Sequence, residues 1–166
     1  MLKLNRTTEY GLMALTYIRG KNQGELTSAR EIADHFELPF EILAKTLQRL
    51  KDQGLIASTY GTRGGYVLAR DLKTLDMAEF LTMMEGPVAV VACQSAELQS
   101  QDCGYQGSCN ISKTMQTLND RFQEFLHRIS VEELTRSPGE FRPASAGSAS
   151  KDNYSVENFA FQGGEP

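Results

Sequence analysis

Apolar residues near the start of the chain recur with helical spacing: Tyr10, Met13, Ala14, Tyr17 and Ile18 share one face of a helix predicted over 6–19. Asn22, Gly24 and their polar neighbours break it. Thr27 or Ser28 then stands as N-cap to a second helix over 29–36, and Ser28 with Glu31 has the spacing of a capping box. Pro39 reads as the first residue of a third helix, where its missing N–H costs nothing. That helix carries Phe40, Leu43, Leu47 and Leu50 on its apolar face and stops at Gly54. Residues 55–60, the turn 61–65 and residues 66–69 read as strand, glycine-rich turn and strand. A fourth helix over roughly 75–84 ends at Gly86-Pro87, and 88–110 lacks periodicity. Ile111, Met115, Leu118, Phe122, Phe125 and Ile129 then repeat at 4-3-4-3-4, the seam of a long helix that pairs with a second copy of itself, packing against the chain's own core being the plainer reading. Beyond 136 the pattern vanishes. Ser, Gly, Ala and Pro fill sixteen of the last thirty positions, too few apolar groups to offset the entropy of ordering.

This order predicts a mainly α fold with a small β-hairpin wing: a winged helix-turn-helix joined to a long dimerisation helix. The expected divisions are a DNA-binding domain at 1–72, a fourth helix and cysteine-bearing loop at 73–110, the long helix and a short following helix at 111–136, and a disordered tail at 137–166. Tyr154, Phe159 and Phe161 within the tail form a candidate docking motif.

Charge sharpens the picture. The whole chain of 166 residues carries −4, which by itself argues against a nucleic-acid partner. Residues 1–70, however, hold ten Lys/Arg against seven Asp/Glu, a net of +3, while 71–166 hold seven against fourteen, a net of −7. A basic functional face on an acidic support follows. No secretory signal or stretch of membrane-spanning length is recognisable, so a cytoplasmic location without membrane contact is expected.

In a helix-turn-helix the second helix enters the major groove with its N-terminal half toward base edges. Glu41, Lys45, Gln48 and Arg49 are its polar positions here. Glu41 can accept from a cytosine amino group and Gln48 can read adenine. Lys45 and Arg49 suit phosphates, which supply affinity rather than sequence choice. Ser28, Tyr60 and Thr62 are further expected DNA contacts. In the wing, glycines allow a close backbone approach and Arg63 can enter the minor groove. The partner is therefore a double-stranded operator bound by a homodimer.

Cys93, Cys103 and Cys109 form C-x9-C-x5-C. An odd number of cysteines in a chain without an export signal points to metal or redox chemistry rather than a disulfide framework. The usual zinc spacings are absent; thiolates on a flexible loop suit an iron–sulfur cluster, and three leave one position unfilled. Free cysteines packed as small hydrophobes are the plainer reading. No phosphate loop or acid/base pair suggests an enzyme.

As a set, these features resemble the Rrf2 family of bacterial transcription regulators, the IscR, NsrR and RirA type. The residues that carry the resemblance are Leu4-x5-Tyr10-x-Leu12, Leu43-x6-Leu50-x3-Gly54-Leu55, the Arg63-Gly64-Gly65-Tyr66 wing, and the three-cysteine loop before a long helix. It covers about 1–136. It implies a homodimer with crossed long helices, and a cluster held between the cysteine loop of one subunit and the DNA-binding part of the other. In the IscR branch a histidine lies three residues after the third cysteine; Ser112 stands there. In the NsrR branch an acidic residue near the start of the first helix serves, and Glu9 occupies that place, which makes it the implied fourth ligand from the partner subunit. Its plainer role is a helix-start carboxylate favoured by the dipole. His35 is a weaker alternative, otherwise a partly buried, hydrogen-bonded side chain, and His127 reads as solvated. A 2Fe-2S and a 4Fe-4S cluster are both compatible. The expected function is a DNA-binding regulator, such as a repressor, sensing iron, redox state or nitric oxide. The alternative is a cluster-free winged-helix regulator answering a small molecule, thiol oxidation or a protein partner.

Overall fold

A computed structural model describes residues 3–22, 24–61, 64–91, 105 and 108–136. The element order is α1 (Arg6–Arg19), α2 (Ala29–Phe36), α3 (Phe40–Asp52), β1 (Ile56–Thr59), β2 (Gly65–Leu68), a 3-10 turn (Leu72–Thr74), α4 (Met77–Glu85), α5 (Ser112–His127) and α6 (Val131–Leu134). The fold is mainly α, with one antiparallel hairpin pairing Ile56 with Leu68 and Thr59 with Gly65.

Local chemistry sets the helix ends. Asn5 caps α1, its side chain accepting the Thr8 N–H at 2.8 Å. Ser28 caps α2 by accepting the Glu31 N–H at 3.1 Å. The expected capping box is only half made, because the Glu31 carboxylate turns to Lys21 and the Tyr17 hydroxyl instead. Pro39 is the residue before α3 rather than its first residue, so its ring fixes the entry at φ −59. Gly54, at φ 73, closes α3: its N–H donates to Lys51 C=O and the Leu55 N–H to Leu50 C=O, both at 2.9 Å. The fourth helix begins at Met77, two residues later than expected, after the 3-10 turn.

The core sits where α1, α3 and α4 meet. Leu15, Ile32, Leu43, Leu47, Leu50, Leu55, Phe80 and Met84 are fully buried there. The buried face of α1 is Thr8, Gly11, Ala14, Leu15 and Ile18; the expected Tyr10, Met13 and Tyr17 are half-buried at its margin. Gly11 explains the offset: a Cβ on it would lie 3.2 Å from Met84 Cε and 3.4 Å from Phe80 Cζ. α4 therefore lies close against α1 along the glycine. Phe40, expected in the core, is 44% exposed.

α5 is held at its C-terminal end. The Met77 N–H donates to Ile129 C=O and the Val131 N–H to Leu75 C=O, each at 2.8 Å. Beside this bridge His127 Nδ1 lies 3.0 Å from Asp76 Oδ2, so His127 is a partner of the α4 cap rather than merely solvated. Burial pushes the Asp76 carboxyl up, but hydrogen bonds from the Glu79 N–H and His127 outweigh it and hold it below the ordinary carboxylate value.

The wing is a third place where backbones crowd. The Thr27 N–H donates to Tyr66 C=O at 3.0 Å and the Tyr66 N–H returns to Thr27 C=O at 2.8 Å, adding a single bridge beside β2. A Cβ on Gly65 would meet Thr27 backbone atoms at 2.9–3.0 Å, and one on Gly64 would meet Thr59 O at 2.4 Å. These two glycines are thus required by the protein's own packing. Gly65→Ala should cost about 1–3 kcal/mol in urea denaturation by forcing the Thr27 bridge apart. An unchanged midpoint would show that the bridge gives way freely.

Candidate nucleic-acid interface and cysteine loop

α2, the turn at Glu37 and α3 form the helix-turn-helix. Glu37 itself is left-handed at φ 53, and the Leu38 N–H donates to Ala33 C=O at 2.9 Å. The buried side of α3 (Leu43, Thr46, Leu47, Leu50) fixes its rotation, so Glu41, Lys45, Gln48 and Arg49 all face solvent. Gln48 donates to Asp52 at 2.7 Å. Arg49 Nε donates to Met83 C=O at 3.0 Å, which leaves its terminal nitrogens for a phosphate while fastening α3 to the last turn of α4.

A groove of about 320 Å³ separates α3 and the start of α2 from the wing, lined among others by Ser28, Gln48, Lys51, Thr59, Tyr60 and Gly61. Ser28 stands at its rim with its hydroxyl engaged as a helix cap. Tyr60 is 86% exposed. Lys51 donates to the Tyr60 hydroxyl at 3.3 Å and lies 5.6 Å from its ring centroid, which holds the phenol below its usual range. Lys51 was not among the expected contacts; its signal is its place one turn after Gln48, where the wing returns to the helix. Thr62 and Arg63 lie outside the described residues.

Of the cysteines, Cys93 and Cys103 also lie outside the described residues; Cys109 is half-buried, three residues before α5. Glu9 sits half-buried in the first turn of α1, its carboxylate 3.0 Å from the Arg6 guanidinium. His35 is exposed rather than partly buried, its ring 4.7 Å from that of Tyr17 and 4.6 Å from that of Phe36. Among the described residues no three acidic, histidine or cysteine side chains form a metal cage. The donor chemistry nevertheless fits an iron–sulfur cluster: three thiols on one stretch of chain, and a partly accessible carboxylate on another element.

The root of the cysteine stretch is well defined. Glu85, the last residue of α4, accepts from the Asn5 N–H at 2.9 Å and the Thr8 hydroxyl at 2.6 Å, tying α4 to the start of the helix that carries Glu9. Gly86, at φ 90, turns the chain out. Residues 88–90 are then held by α5, through Gln123 donating to Val88 C=O and the Val90 N–H donating to Asn119 at 3.1 Å. One helical turn, 82–85, therefore touches the reading helix, the start of α1 and the departure of the cysteine stretch.

The expected seam of α5 divides. Phe122 and Ile129 pack on the chain's own core, and Leu126, outside the seam, is the one buried residue of the helix. Ile111, Leu118 and Phe125 are 52%, 45% and 59% exposed, seven residues apart, with Met115 half-buried between them. No described helix is long and apolar enough to cross a membrane.

Comparison with known proteins agrees with this architecture. The Rrf2 family model, described as iron-dependent transcriptional regulator, matches residues 4–137. The chain is 27% identical to the HTH-type transcriptional regulator IscR of Xenorhabdus nematophila over 138 residues, covering 82% of this chain and 80% of that one. It is 23% identical to the HTH-type transcriptional regulator NsrR of Shouchella clausii over 141 residues, 85% of this chain and 93% of that one. Among solved structures, the global cysteine regulator CymR of B. subtilis superposes with a TM-score of 0.63 at 24% identity, covering 81% of this chain and 97% of that one. IscR of T. potens gives 0.57 at 20% identity, covering 79% and 84%.

Proposed function

The chain belongs to the Rrf2 family of iron-dependent transcriptional regulators, and on that premise we propose that it works as a homodimer whose hold on operator DNA is set by an iron–sulfur cluster. The observation that carries this reading is the last turn of α4, which joins the root of the cysteine stretch to the reading helix through Arg49 and to α1 through Glu85.

Cys93, Cys103 and Cys109 would hold the cluster, with Glu9 of the facing subunit as fourth ligand. When bound, such a group supplies an oxidant-sensitive link between thiolates and a ligand from a second element. The protein's own residues do the rest. While Glu9 and the three cysteines are held together, α1 keeps its start fixed, and Glu85 keeps α4 in register with it. Arg49 then keeps α3 at one angle to α4. Once the four side chains separate, Glu85 and Arg49 are the bonds through which the movement reaches α3. Two states with different contacts are what such coupling requires. Ile111, Leu118 and Phe125 would cover one another across the two-fold axis and set the spacing of the two reading helices.

On the DNA, Lys45, Arg49 and Lys51 would neutralise phosphates, Arg63 would enter the minor groove, and Glu41 and Gln48 would meet base edges. Six to ten phosphate contacts per dimer make affinity fall about 10³–10⁵-fold between 50 and 200 mM salt. Titration of an operator-bearing duplex at several salt concentrations checks this; an affinity indifferent to salt would contradict it. Replacing the cysteines by alanine separates cluster sensing from a cluster-free response to a small molecule or protein partner: the first predicts loss of regulation with DNA binding altered, the second predicts regulation intact, and iron analysis of the wild type separates the cluster from a cluster-free thiol switch.

A further inference from the structure

The first turn of α3 exposes two large apolar side chains, Phe40 at 44% and Ile42 at 42%. Neither position was free to choose the core, because Leu43, Leu47 and Leu50 fix the rotation of α3. The Arg30 guanidinium, from the start of α2, lies 5.2 Å from the Phe40 ring centroid. Arg30 is exposed, and no salt bridge to it is found among the described residues. A cation in the first turn of a helix opposes the helix dipole, so α2 itself gains nothing from it there. Packing on an aromatic face holds a guanidinium by its flat side and leaves its N–H donors, which lie in its plane, unspent.

An apolar ring and an in-plane fork of donors, side by side at the N-terminal end of a reading helix, match two neighbouring features of the major groove. The C5-methyl of thymine is the groove's apolar group, and the O6 and N7 of guanine form its two-acceptor edge. We propose that Phe40 and Arg30 are a specificity-determining pair that reads adjacent bases in each half-site: Phe40 packs on a thymine methyl, and Arg30, stacked on Phe40, donates to guanine O6 and N7. The inference rests on the DNA-binding reading above. It assigns base choice to residues of two different helices, and makes the orientation of Arg30 depend on the ring beneath it.

The test uses the full-length protein and duplexes that it recovers from a randomised pool. In each recovered duplex, thymines are replaced one at a time by deoxyuridine, which lacks the methyl, and guanines by 7-deazaguanine, which lacks N7. Wild type should lose about three- to fivefold at one thymine of the half-site, and about five- to 150-fold at its neighbouring guanine. Phe40→Ala should show no further loss at that thymine and a reduced loss at that guanine, whereas Phe40→Leu should restore the thymine effect alone. Arg30→Gln should abolish the guanine effect and keep the thymine one. Recovered duplexes whose substitution profile is the same in wild type, Phe40→Ala and Arg30→Gln overturn the pair and leave DNA binding standing. A protein that recovers no duplex, but whose Phe40→Ala variant loses a protein partner, overturns both.

Discussion

Phe125→Asp should convert the proposed homodimer to a folded monomer and weaken operator binding by about 10²–10⁴-fold. Phe125 is 59% exposed in the single chain, and with Ile111 and Leu118 it forms a heptad stripe that contributes nothing to the chain's own core. A charge there costs little in the monomer, but it would be buried without a partner at a two-fold seam, where like charges face each other. The magnitude follows from what dimerisation supplies. Once one reading head is bound, the second binds from a local concentration of millimolar order instead of from bulk solution, and that advantage disappears when the heads separate. Sedimentation velocity reads the mass, circular dichroism the fold, and a two-half-site duplex the affinity. A dimer of undiminished affinity would remove α5 from the interface.

The second large effect lies in the core. Phe80→Ala should lower stability by about 3–5 kcal/mol, a large share of the 5–15 kcal/mol typical of a natural domain. Phe80 has no exposed surface, and its ring tip lies 3.4 Å from where a Cβ on Gly11 would be. Removing it opens a cavity between α1 and α4, and neither helix can close on it. α4 is pinned at one end by the Asp76–Ser130 bridge and at the other by Glu85, while α1 is pinned by the same Glu85 bonds. Urea denaturation followed by far-ultraviolet dichroism gives the value. A loss under 1 kcal/mol would mean that the two helices can collapse together, and that the α4 contacts are not rigid enough to transmit a signal to Arg49.

Much of the architecture is readable from local chemistry. Ser28 and Gly54 mark helix ends by their own side chain or backbone freedom, and the helix spans they bound are found where periodicity puts them. What was not readable depends on partners distant in the chain. Periodicity assigns Phe40 to the core because it shares the stripe of Leu43 and Leu47, yet at the first turn of α3 that stripe has already left the core. It assigns Phe125 and overlooks Leu126, because the 4-3 repeat fits both a dimer seam and the chain's own packing, and only the position of α4 separates them. The Glu31 carboxylate had three possible partners, and Lys21, ten residues earlier, prevailed over the local capping box. The bonds of Glu85 and Arg49 leave no trace in spacing at all, being contacts over 77 and 34 residues. The proposed cysteine ligands are marked by residue type and by family membership, and the fold adds only the point from which the cysteine stretch departs.

The central claim, that thiol-held iron sets DNA affinity, is tested most directly by purifying the full-length protein without oxygen. Iron and acid-labile sulfide are then assayed, and the affinity for a recovered duplex is measured before and after the iron is removed. A coloured protein with iron and sulfide in equal amounts is predicted, with a DNA affinity that shifts on removal. In Cys109→Ala both the colour and the shift should be lost. A colourless, iron-free protein that binds the same duplex, with an affinity that added iron and sulfide leave unchanged, would contradict it.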